Sequence, residues 1–432
     1  MKILSTRDAD FLTNMEQVLK RGEPFSATLE EIVKTILKDV QDKGDKALID
    51  YAEKYDKSRL TPSTLKVCEG DIEEAYNNAK KSDIEVLEFA ADRIERFHKK
   101  QIQNSWITTE EDGIILGQVI NPIEKVGIYI PGGKASYPSS VLMNAIPARV
   151  AGVQQIIMVT PASNGKISDF VLIAAKIANV NSIFKVGGAQ AIAALAYGTE
   201  TIPKVDKIVG PGNAYVACAK RLVFGKVDID MIAGPSEVLI ISDGSGSPAS
   251  IASDLLSQAE HDEMSASILI TESYDSAKKV EAELYKQLDG LERKAIAKTS
   301  IENNGVIIVT KDINESIELT NRIAPEHLEL AIERPFEVLS RISNAGAIFL
   351  GHTSPEAVGD YLAGPNHILP TGGTARFSSP LGVDDFIKKS NIVSFSREAL
   401  KRVGQHVVHI ARMEGLDAHA RSVEKRIKED ET

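Results

Sequence analysis

The segment SQAEHD (257–262) carries an amide and an imidazole side chain between two strand-like runs, EVLIIS (237–242) and ASILIT (266–271). On a helix, Gln258 and His261 would face the same side, because residues three apart are neighbours on the helix surface. Such a pair is either a surface hydrogen bond or half of a metal site whose other ligands lie elsewhere in the chain. Catalytic zinc takes about three or four protein ligands, so the segment alone leaves both alternatives open.

Several of the eight histidines stand close to an acidic residue. These pairs are Glu326 with His327 in APEHLEL, Glu414 with His419 in EGLDAHARS, and Asp360 with His367 in VGDYLAGPNHILPTGG. Each pair also has a purely structural interpretation. Pro325 could begin a helix whose first turn Glu326 stabilises, and His419 could be solvated on a helix face. Taken singly, each pair favours the structural interpretation, and spacing alone does not join them.

Composition limits the class of protein. The chain has 432 residues, of which 43% are hydrophobic and 26% charged, and these values are typical of a globular protein with two or more domains. Its net charge of -11 disfavours nucleic acid as a main partner, because phosphate binding needs a basic surface. No apolar stretch approaches the roughly 18–20 residues that span a bilayer, so we expect no membrane partner.

The two cysteines, Cys68 and Cys218, are far apart and form neither a CxxC pair nor a disulfide framework. The amino terminus does not resemble a signal peptide, because charges follow its short apolar patch at once. Both features favour a reducing, cytoplasmic setting. Any metal would therefore be held by oxygen and nitrogen.

Strand-like and helical runs alternate along most of the chain. The first 105 residues have helical spacing, and WITTEEDGIILGQV after them contains two short β-like runs about an EDG turn. From residue 125 onward, apolar strand-like runs alternate with alanine-rich helical stretches, a pattern typical of βαβ units and parallel sheets. We therefore predict two α/β domains, each a doubly wound sheet, with a charged helical tail that Gly415 interrupts.

Three glycine loops follow predicted strands and could expose backbone N–H groups to an anionic ligand. They are IYIPGG with Gly132 and Gly133, VGGAQA with Gly187, Gly188 and Gln190, and IVGPGNAYVA with Gly210, Gly212 and Asn213. None has the full G-x-G-x-x-G fingerprint. Each loop taken singly is equally well explained as a tight turn without a ligand.

Longer motifs point to a family. GIYIPGGKASYPSSVLMNAIPA, VGGAQAIAALAYGTE, VGPGNAYVACAKR, DMIAGPSEVLII, LLSQAEHD, APEHLEL, GDYLAGPNHILPT and MEGLDAHARSVEKR together resemble histidinol dehydrogenase. The match runs through essentially the whole chain, in the order of the family's motifs. The resemblance implies a zinc- and NAD-dependent enzyme of histidine biosynthesis, which oxidises L-histidinol to L-histidine through L-histidinaldehyde with two NAD per turnover.

The resemblance also implies the roles of individual residues. The zinc ligands would be Gln258, His261, Asp360 and His419, and the catalytic acid/base pair would be Glu326 and His327. The substrate would be held by Ser236, Gln258, His261, His327, Asp360, Glu414 and His419, and NAD would contact Tyr129, Gln190 and Asn213. The family is an intertwined homodimer, so Glu414 and His419 would complete the site of a neighbouring subunit.

The domain boundaries expected with this resemblance divide the chain into four parts. They are a helical arm at 1–25, an α/β domain of 26–129 with 237–381 that carries the metal and catalytic residues, a second Rossmann-like α/β domain of 130–236 with the NAD loops, and a helical segment at 382–432. Three alternative functions remain: the same scaffold oxidising another small primary alcohol, a catalytically silent zinc protein, and a zinc hydrolase. The hydrolase is disfavoured because the glycine loops would then be unused.

Overall fold

The computed structural model describes residues 1–19, 26–132 and 136–428. Gly133 of the first glycine loop lies outside the described residues, as do 20–25 of the predicted arm and 429–432 of the tail. The chain divides into two compact units: Met1–Gln101 with Ile123–Phe386, and Ile102–Pro122 with Ile387–Thr432.

The strands within the described ranges are β1 (Lys2–Ser5), β2 (Trp106–Thr109), β3 (Ile115–Pro122), β4 (Lys125–Tyr129), β5 (Gln155–Val159), β6 (Ser182–Phe184), β7 (Lys207–Val209), β8 (Asp228–Ile229), β9 (Glu237–Ser242), β10 (Ala266–Thr271), β11 (Val306–Val309), β12 (His327–Ala331), β13 (Ala347–Leu350) and β14 (Ile387–Ser394).

The α-helices of the same ranges are α1 (Phe11–Leu19), α2 (Ala27–Lys43), α3 (Asp45–Asp56), α4 (Pro62–Leu65), α5 (Glu69–Asn78), α6 (Lys81–His98), α7 (Pro138–Ala151), α8 (Asp169–Ile177), α9 (Gly188–Tyr197), α10 (Ala214–Val223), α11 (Pro248–Ala259), α12 (Tyr274–Leu288), α13 (Lys294–Asn304), α14 (Ile313–Ile323), α15 (Pro335–Val338), α16 (Glu356–Tyr361), α17 (Arg397–Met413) and α18 (Asp417–Lys428). Short 3₁₀ helices lie at Lys99–Gln101, Glu111–Gly113, Leu339–Arg341, Thr374–Arg376 and Val383–Phe386.

The first unit contains two parallel sheets, as predicted. One has six strands in the order β1-β11-β10-β9-β12-β13, and the other has five in the order β6-β5-β4-β7-β8. Every residue of β9 and of β10 is buried, because helices cover both faces of the sheet. In the six-stranded sheet, α11, α12 and α13 pack on one face and α1 and α14 on the other. The doubly wound α/β prediction is confirmed.

Two segments of the first unit differ from the predicted domain boundaries. Lys2–Ser5, expected in a helical arm, pairs with β11 at the edge of the six-stranded sheet, and only Phe11–Leu19 of that arm is described as a helix. Helices α2 and α3 pack on one face of the five-stranded sheet and α5 and α6 on the other, whereas the prediction assigned them to the other domain. Strand β4 is likewise central to the five-stranded sheet. An amphipathic helix shows which of its faces is buried but not which sheet covers it.

The second unit contains an antiparallel sheet in the order β14-β3-β2, followed by α17 and α18. The β-like runs about the EDG turn are confirmed as β2 and β3. The helical prediction for 382–432 is wrong at Ile387–Ser394, which pairs with β3 although its sequence IKKSNIVS lacks a regular apolar alternation. Gly415, at a φ of +73°, separates the two helices as predicted. Among the described residues, no helix has the length and apolarity required to cross a bilayer.

Candidate active site

The predicted acid/base pair, Glu326 and His327, lies at the amino-terminal ends of the strands of the six-stranded sheet. Helix α14 ends at Ile323, Ala324 takes a left-handed conformation, and the chain turns through Pro325 into β12. Pro325 therefore does not begin a helix, and the structural interpretation of Glu326 as a first-turn residue is wrong. His327 is the first residue of β12 and Glu237 the first of β9, and these two strands are neighbours in the sheet.

A hydrogen bond to the main chain fixes the orientation of the His327 imidazole. Its side chain is buried, and Nδ1 lies 3.1 Å from the backbone carbonyl of Glu237, to which only a protonated nitrogen can donate. Nε2 is then the basic nitrogen, and it has no hydrogen-bond partner among the described residues. It lies 3.9 Å from Oδ1 of Asp360. Burial lowers the pKa of His327 to about 4, against the opposing charge of Asp360, so the ring is neutral at neutral pH.

Glu326 is buried beside this ring. Its Oε2 accepts the backbone N–H of Glu237 at 2.8 Å and lies 3.8 Å from Nδ1 of His327. Burial raises the pKa of Glu326 well above its usual value, and the nearby carboxylates of Glu237 and Asp360 add to the rise. A carboxyl group with a raised pKa holds a proton more readily than an ordinary glutamate, a property that suits an acid/base group.

Helix α16 brings two further carboxylates to His327. Glu356 and Asp360 are four residues apart and face the same side of the helix. Oε1 of Glu356 lies 3.6 Å from Nδ1 of His327, and ligand atoms of His327, Glu356 and Asp360 all lie within 4.8 Å of one another. Glu356 was missed in the sequence, where its spacing from Asp360 in EAVGD was the only available signal.

Gln258 completes this cluster. It lies in the last turn of α11, is fully buried, and has its amide nitrogen 2.9 Å from Oε1 of Glu356 in the orientation that satisfies both groups. His261 follows the helix C-cap, and its N–H donates to the Gln258 carbonyl at 3.2 Å. The two residues are therefore joined by a turn rather than by a shared helical face, and His261 is exposed. A charge on His261 would lower the pKa of His327, so the two rings interact electrostatically.

The predicted substrate contact Ser236 and the histidine noted near Asp360, His367, flank the cluster. Ser236 precedes Glu237, is half-buried, and accepts the N–H of Ala266 through its carbonyl at 3.0 Å. His367 donates from Nδ1 to the backbone carbonyl of Asp360 at 2.9 Å, and burial lowers its pKa. The glycine-proline loop therefore holds Asp360 in place.

Glu414 and His419 belong to the second unit. Glu414 is the C-cap of α17, and its backbone N–H donates to the carbonyl of Ile410 at 3.1 Å. His419 lies in the first turn of α18. Within their own unit both side chains are exposed, as the structural interpretation of His419 expected.

The three glycine loops follow β4, β6 and β7 at the carboxyl edge of the five-stranded sheet, as predicted. The hydroxyl of Tyr129 accepts the N–H of Gly188 at 3.1 Å, and burial raises its pKa to about 12. Gln190 is buried in the first turn of α9. Asn213 caps α10, accepting the N–H groups of Tyr215 and Val216 at 3.1 and 3.2 Å.

A buried ion pair supports the third loop. Lys220 and Asp230 pair with side chains 2% and 1% exposed. Nζ of Lys220 donates to the carbonyl of Gly210 at 2.9 Å, and Oδ2 of Asp230 accepts the Gly210 N–H at 2.8 Å. Gly210 itself has a φ of +110°, and a Cβ there would lie 2.2 Å from the carbonyl oxygen of Tyr129. Neither residue was singled out in the sequence, because nothing there distinguishes Lys220 or Asp230 from the many other charged residues of the chain.

The cluster around His327 fits a divalent cation. It places carboxylates and an amide, donors that suit Zn²⁺ and related ions, beside the Nε2 of His327, which has no partner in the described chain. Burial, and after it the neighbouring carboxylates, raise the pKa values of Glu326 and Glu356, so a bound cation would offset the repulsion between these acidic groups.

Known proteins resemble this chain along nearly all of its length. A family model described as histidinol dehydrogenase matches residues 19–427. The histidinol dehydrogenase of Geobacter sulfurreducens is 57% identical over 99% of this chain and 100% of its own, and that of Aquifex aeolicus is 54% identical over 99% of each. The crystal structure of histidinol dehydrogenase from Elizabethkingia anophelis, 39% identical, superposes with a TM-score of 0.94 over 100% of this chain and 99% of that chain.

Proposed function

Because the chain belongs to the histidinol dehydrogenase family of oxidoreductases, we propose that it oxidises L-histidinol to L-histidine through L-histidinaldehyde, with zinc and two NAD. This places it at the end of histidine biosynthesis. The observation that supports the proposal most directly is the buried, neutral imidazole of His327, with Nε2 unpartnered in the described chain and the carboxylates of Glu326 and Asp360 beside it.

Zinc is proposed to be held by Gln258, His261, Asp360 and His419. When bound, it would act as a Lewis acid that anchors the amine and imidazole nitrogens of the amino alcohol. One carboxylate and three neutral ligands leave the ion with a net positive charge, so it would still attract the lone pairs of the substrate nitrogens.

In the first oxidation, His327 is the base. Its Nδ1–H is engaged by the Glu237 carbonyl, so Nε2 is the nitrogen that takes the hydroxyl proton while hydride leaves the adjacent carbon. NAD, when bound, accepts that hydride. The low pKa of His327 keeps the ring unprotonated at neutral pH, so that Nε2 has a free lone pair before the substrate binds.

The second oxidation needs water, because a hydrated aldehyde has a C–H hydride and a hydroxyl proton to lose. Glu326 is proposed to orient this water and take its proton as oxygen adds to the carbonyl carbon. His327, protonated in the first oxidation, gives that proton to the carbonyl oxygen as water adds. The neutral ring then removes a hydroxyl proton from the hydrate as the second hydride leaves, giving the carboxylic acid. The backbone N–H of Glu237 holds the Glu326 carboxyl in place for this step.

Substrate and cofactor contacts are proposed at both sheets. Ser236 and Glu414 would hold the substrate with the ligand residues, Glu414 through a charge-assisted hydrogen bond to an ammonium or imidazole N–H. Tyr129, Gln190 and Asn213 would contact NAD. Their loops lie at the carboxyl edge of a parallel sheet, where α/β proteins commonly bind ligands. A free, exposed Cys68 fits the reducing cytoplasm that we propose as the location.

The protein is further proposed to act as a homodimer, with Glu414 and His419 supplied by a second copy of the chain. Mixing inactive Asp360→Ala and His419→Ala proteins after reversible dissociation tests this arrangement. Shared sites should regain activity, because the hybrid has one site that lacks neither ligand. No recovery, under conditions where hybrids are demonstrated, would count against sharing.

The stoichiometry of NADH formed per histidinol consumed tests the proposed function. We expect two with zinc-loaded protein, and His327→Asn serves as the inactive control. A ratio of one would indicate an ordinary alcohol dehydrogenase on the same scaffold. Turnover of other small primary alcohols in preference to histidinol would contradict the proposed substrate.

A further inference from the structure

Glu356 is a buried acid to which the proposed mechanism gives no role. Its side chain is 2% exposed, and it is the first residue of α16. Its backbone N–H donates to Oε1 of Glu329 at 2.8 Å, so the main chain at this point is anchored to the six-stranded sheet. The Glu356 side chain is therefore held in a defined position among the ligand candidates.

The carboxyl group of Glu356 faces the amide of Gln258. In the amide orientation that satisfies both groups, the Gln258 nitrogen lies 2.9 Å from Oε1 and 3.2 Å from Oε2 of Glu356. It also lies 3.3 Å from the backbone carbonyl of Glu237 and 3.3 Å from Nδ1 of His327. The two Glu356 oxygens and the Glu237 carbonyl are acceptors, and only the nitrogen end of an amide can donate to them. The ionised Glu356 carboxylate has acceptor oxygens only, and the Glu237 carbonyl is an acceptor whatever the protonation state of Glu356, so both favour the nitrogen end of the amide.

The orientation matters because the two ends of the amide differ as ligands. The carbonyl oxygen of a glutamine binds a cation, whereas its NH₂ group has no lone pair to offer. Gln258 is fully buried, so no solvent contact would fix the amide if Glu356 were removed. An amide free to rotate would present the wrong end part of the time, and cation affinity would fall.

We propose that Glu356 is a positioning residue that holds the Gln258 nitrogen and thereby directs the Gln258 oxygen to the cation. The inference rests on the proposed function, since it takes Gln258 to be a metal ligand. It differs from a role for Glu356 as a ligand in its own right. A positioning residue has an effect only through Gln258, whereas a ligand has an effect whether or not Gln258 is present.

A double-mutant cycle on zinc affinity separates the two roles. Metal-free protein and its Glu356→Leu, Gln258→Ala and doubly substituted variants are titrated with zinc against a chromophoric chelator. We expect Glu356→Leu to weaken zinc binding by about 10–100-fold, the usual effect of losing a group that orients a ligand. In the Gln258→Ala background, Glu356→Leu should change the affinity less than about twofold, because the contact it removes is already absent.

The conservative variant Glu356→Gln serves as rescue and guards against misfolding. Its amide oxygen still accepts from Gln258, so its zinc affinity should lie closer to wild type than that of Glu356→Leu. Asp385→Asn is the matched control: it removes a partly buried acid that pairs with Lys207 at the five-stranded sheet, and zinc affinity should not change.

Equal effects of Glu356→Leu with and without Gln258 would overturn the inference, as would wild-type affinity in Glu356→Leu. Unchanged zinc affinity in Gln258→Ala would also overturn it. Failure of the proposed function is recognised separately, because wild-type protein that binds zinc would then form no NADH from histidinol.

Discussion

Replacing Lys220 by Met should destabilise the five-stranded sheet and the loop after β7. The side chains of Lys220 and Asp230 are 2% and 1% exposed, so neither charge is solvated once its partner is lost. Lys220 also donates to the carbonyl of Gly210 at 2.9 Å. Removing one member of a buried ion pair typically costs about 3–5 kcal/mol, mostly because the other charge remains buried and unpaired.

We therefore expect Lys220→Met to lower the free energy of unfolding by about 3–5 kcal/mol. Urea unfolding followed by circular dichroism measures this loss. The double variant Lys220→Met, Asp230→Asn should be more stable than Lys220→Met, because it no longer buries an unpaired charge while an oxygen at 230 still accepts the Gly210 N–H. In both variants the Michaelis constant for NAD should rise more than that for histidinol.

An exposed pair provides the control. Lys176 and Glu73 have side chains 34% and 57% exposed, and Lys176→Met should cost less than about 1 kcal/mol. The reasoning is refuted if Lys220→Met loses no more stability than Lys176→Met. It is also refuted if the double variant is less stable than Lys220→Met, since desolvation of an unpaired charge would then not be the dominant cost.

Three further perturbations test the site, the loop and the pH dependence. Glu326→Gln should impair aldehyde oxidation, and His327→Asn both oxidations, by about 10²–10⁴-fold in single-turnover NADH formation; unchanged aldehyde turnover in Glu326→Gln would remove its assigned role. Gly212→Ala places a Cβ 2.4 Å from Cγ1 of Val216, so the loop must shift and the Michaelis constant for NAD should rise more than that for histidinol. Equal rises would count against a cofactor role for the loop. Burial lowers the pKa of His98 in the folded chain. Below pH about 6.5 the unfolded chain therefore binds a proton at this residue that the folded chain does not. The free energy of unfolding should consequently fall as pH falls. His98→Gln should flatten that fall, measured by urea unfolding across the pH range, and an unchanged slope would contradict the argument.

The sequence could predict that some of the candidate residues lie next to one another, because those signals are local. APEHLEL places Glu326 directly before His327, and a glycine after a strand marks a loop at the carboxyl edge of a sheet. The same reasoning missed Glu356, Lys220 and Asp230. Their roles depend on burial and on partners distant in the chain, and neither can be read from the identity of a charged residue in the sequence.

The sequence by itself determined the alternation of strands and helices, and hence the parallel sheets, because hydrophobic periodicity depends only on neighbouring residues. It also determined the family, through long motifs in a fixed order. Tertiary structure alone decided that β1 joins the six-stranded sheet and that α2 and α3 cover the five-stranded one. It likewise decided the directions in which the pKa values of His327 and Glu326 shift, because desolvation depends on the groups that packing brings around a side chain.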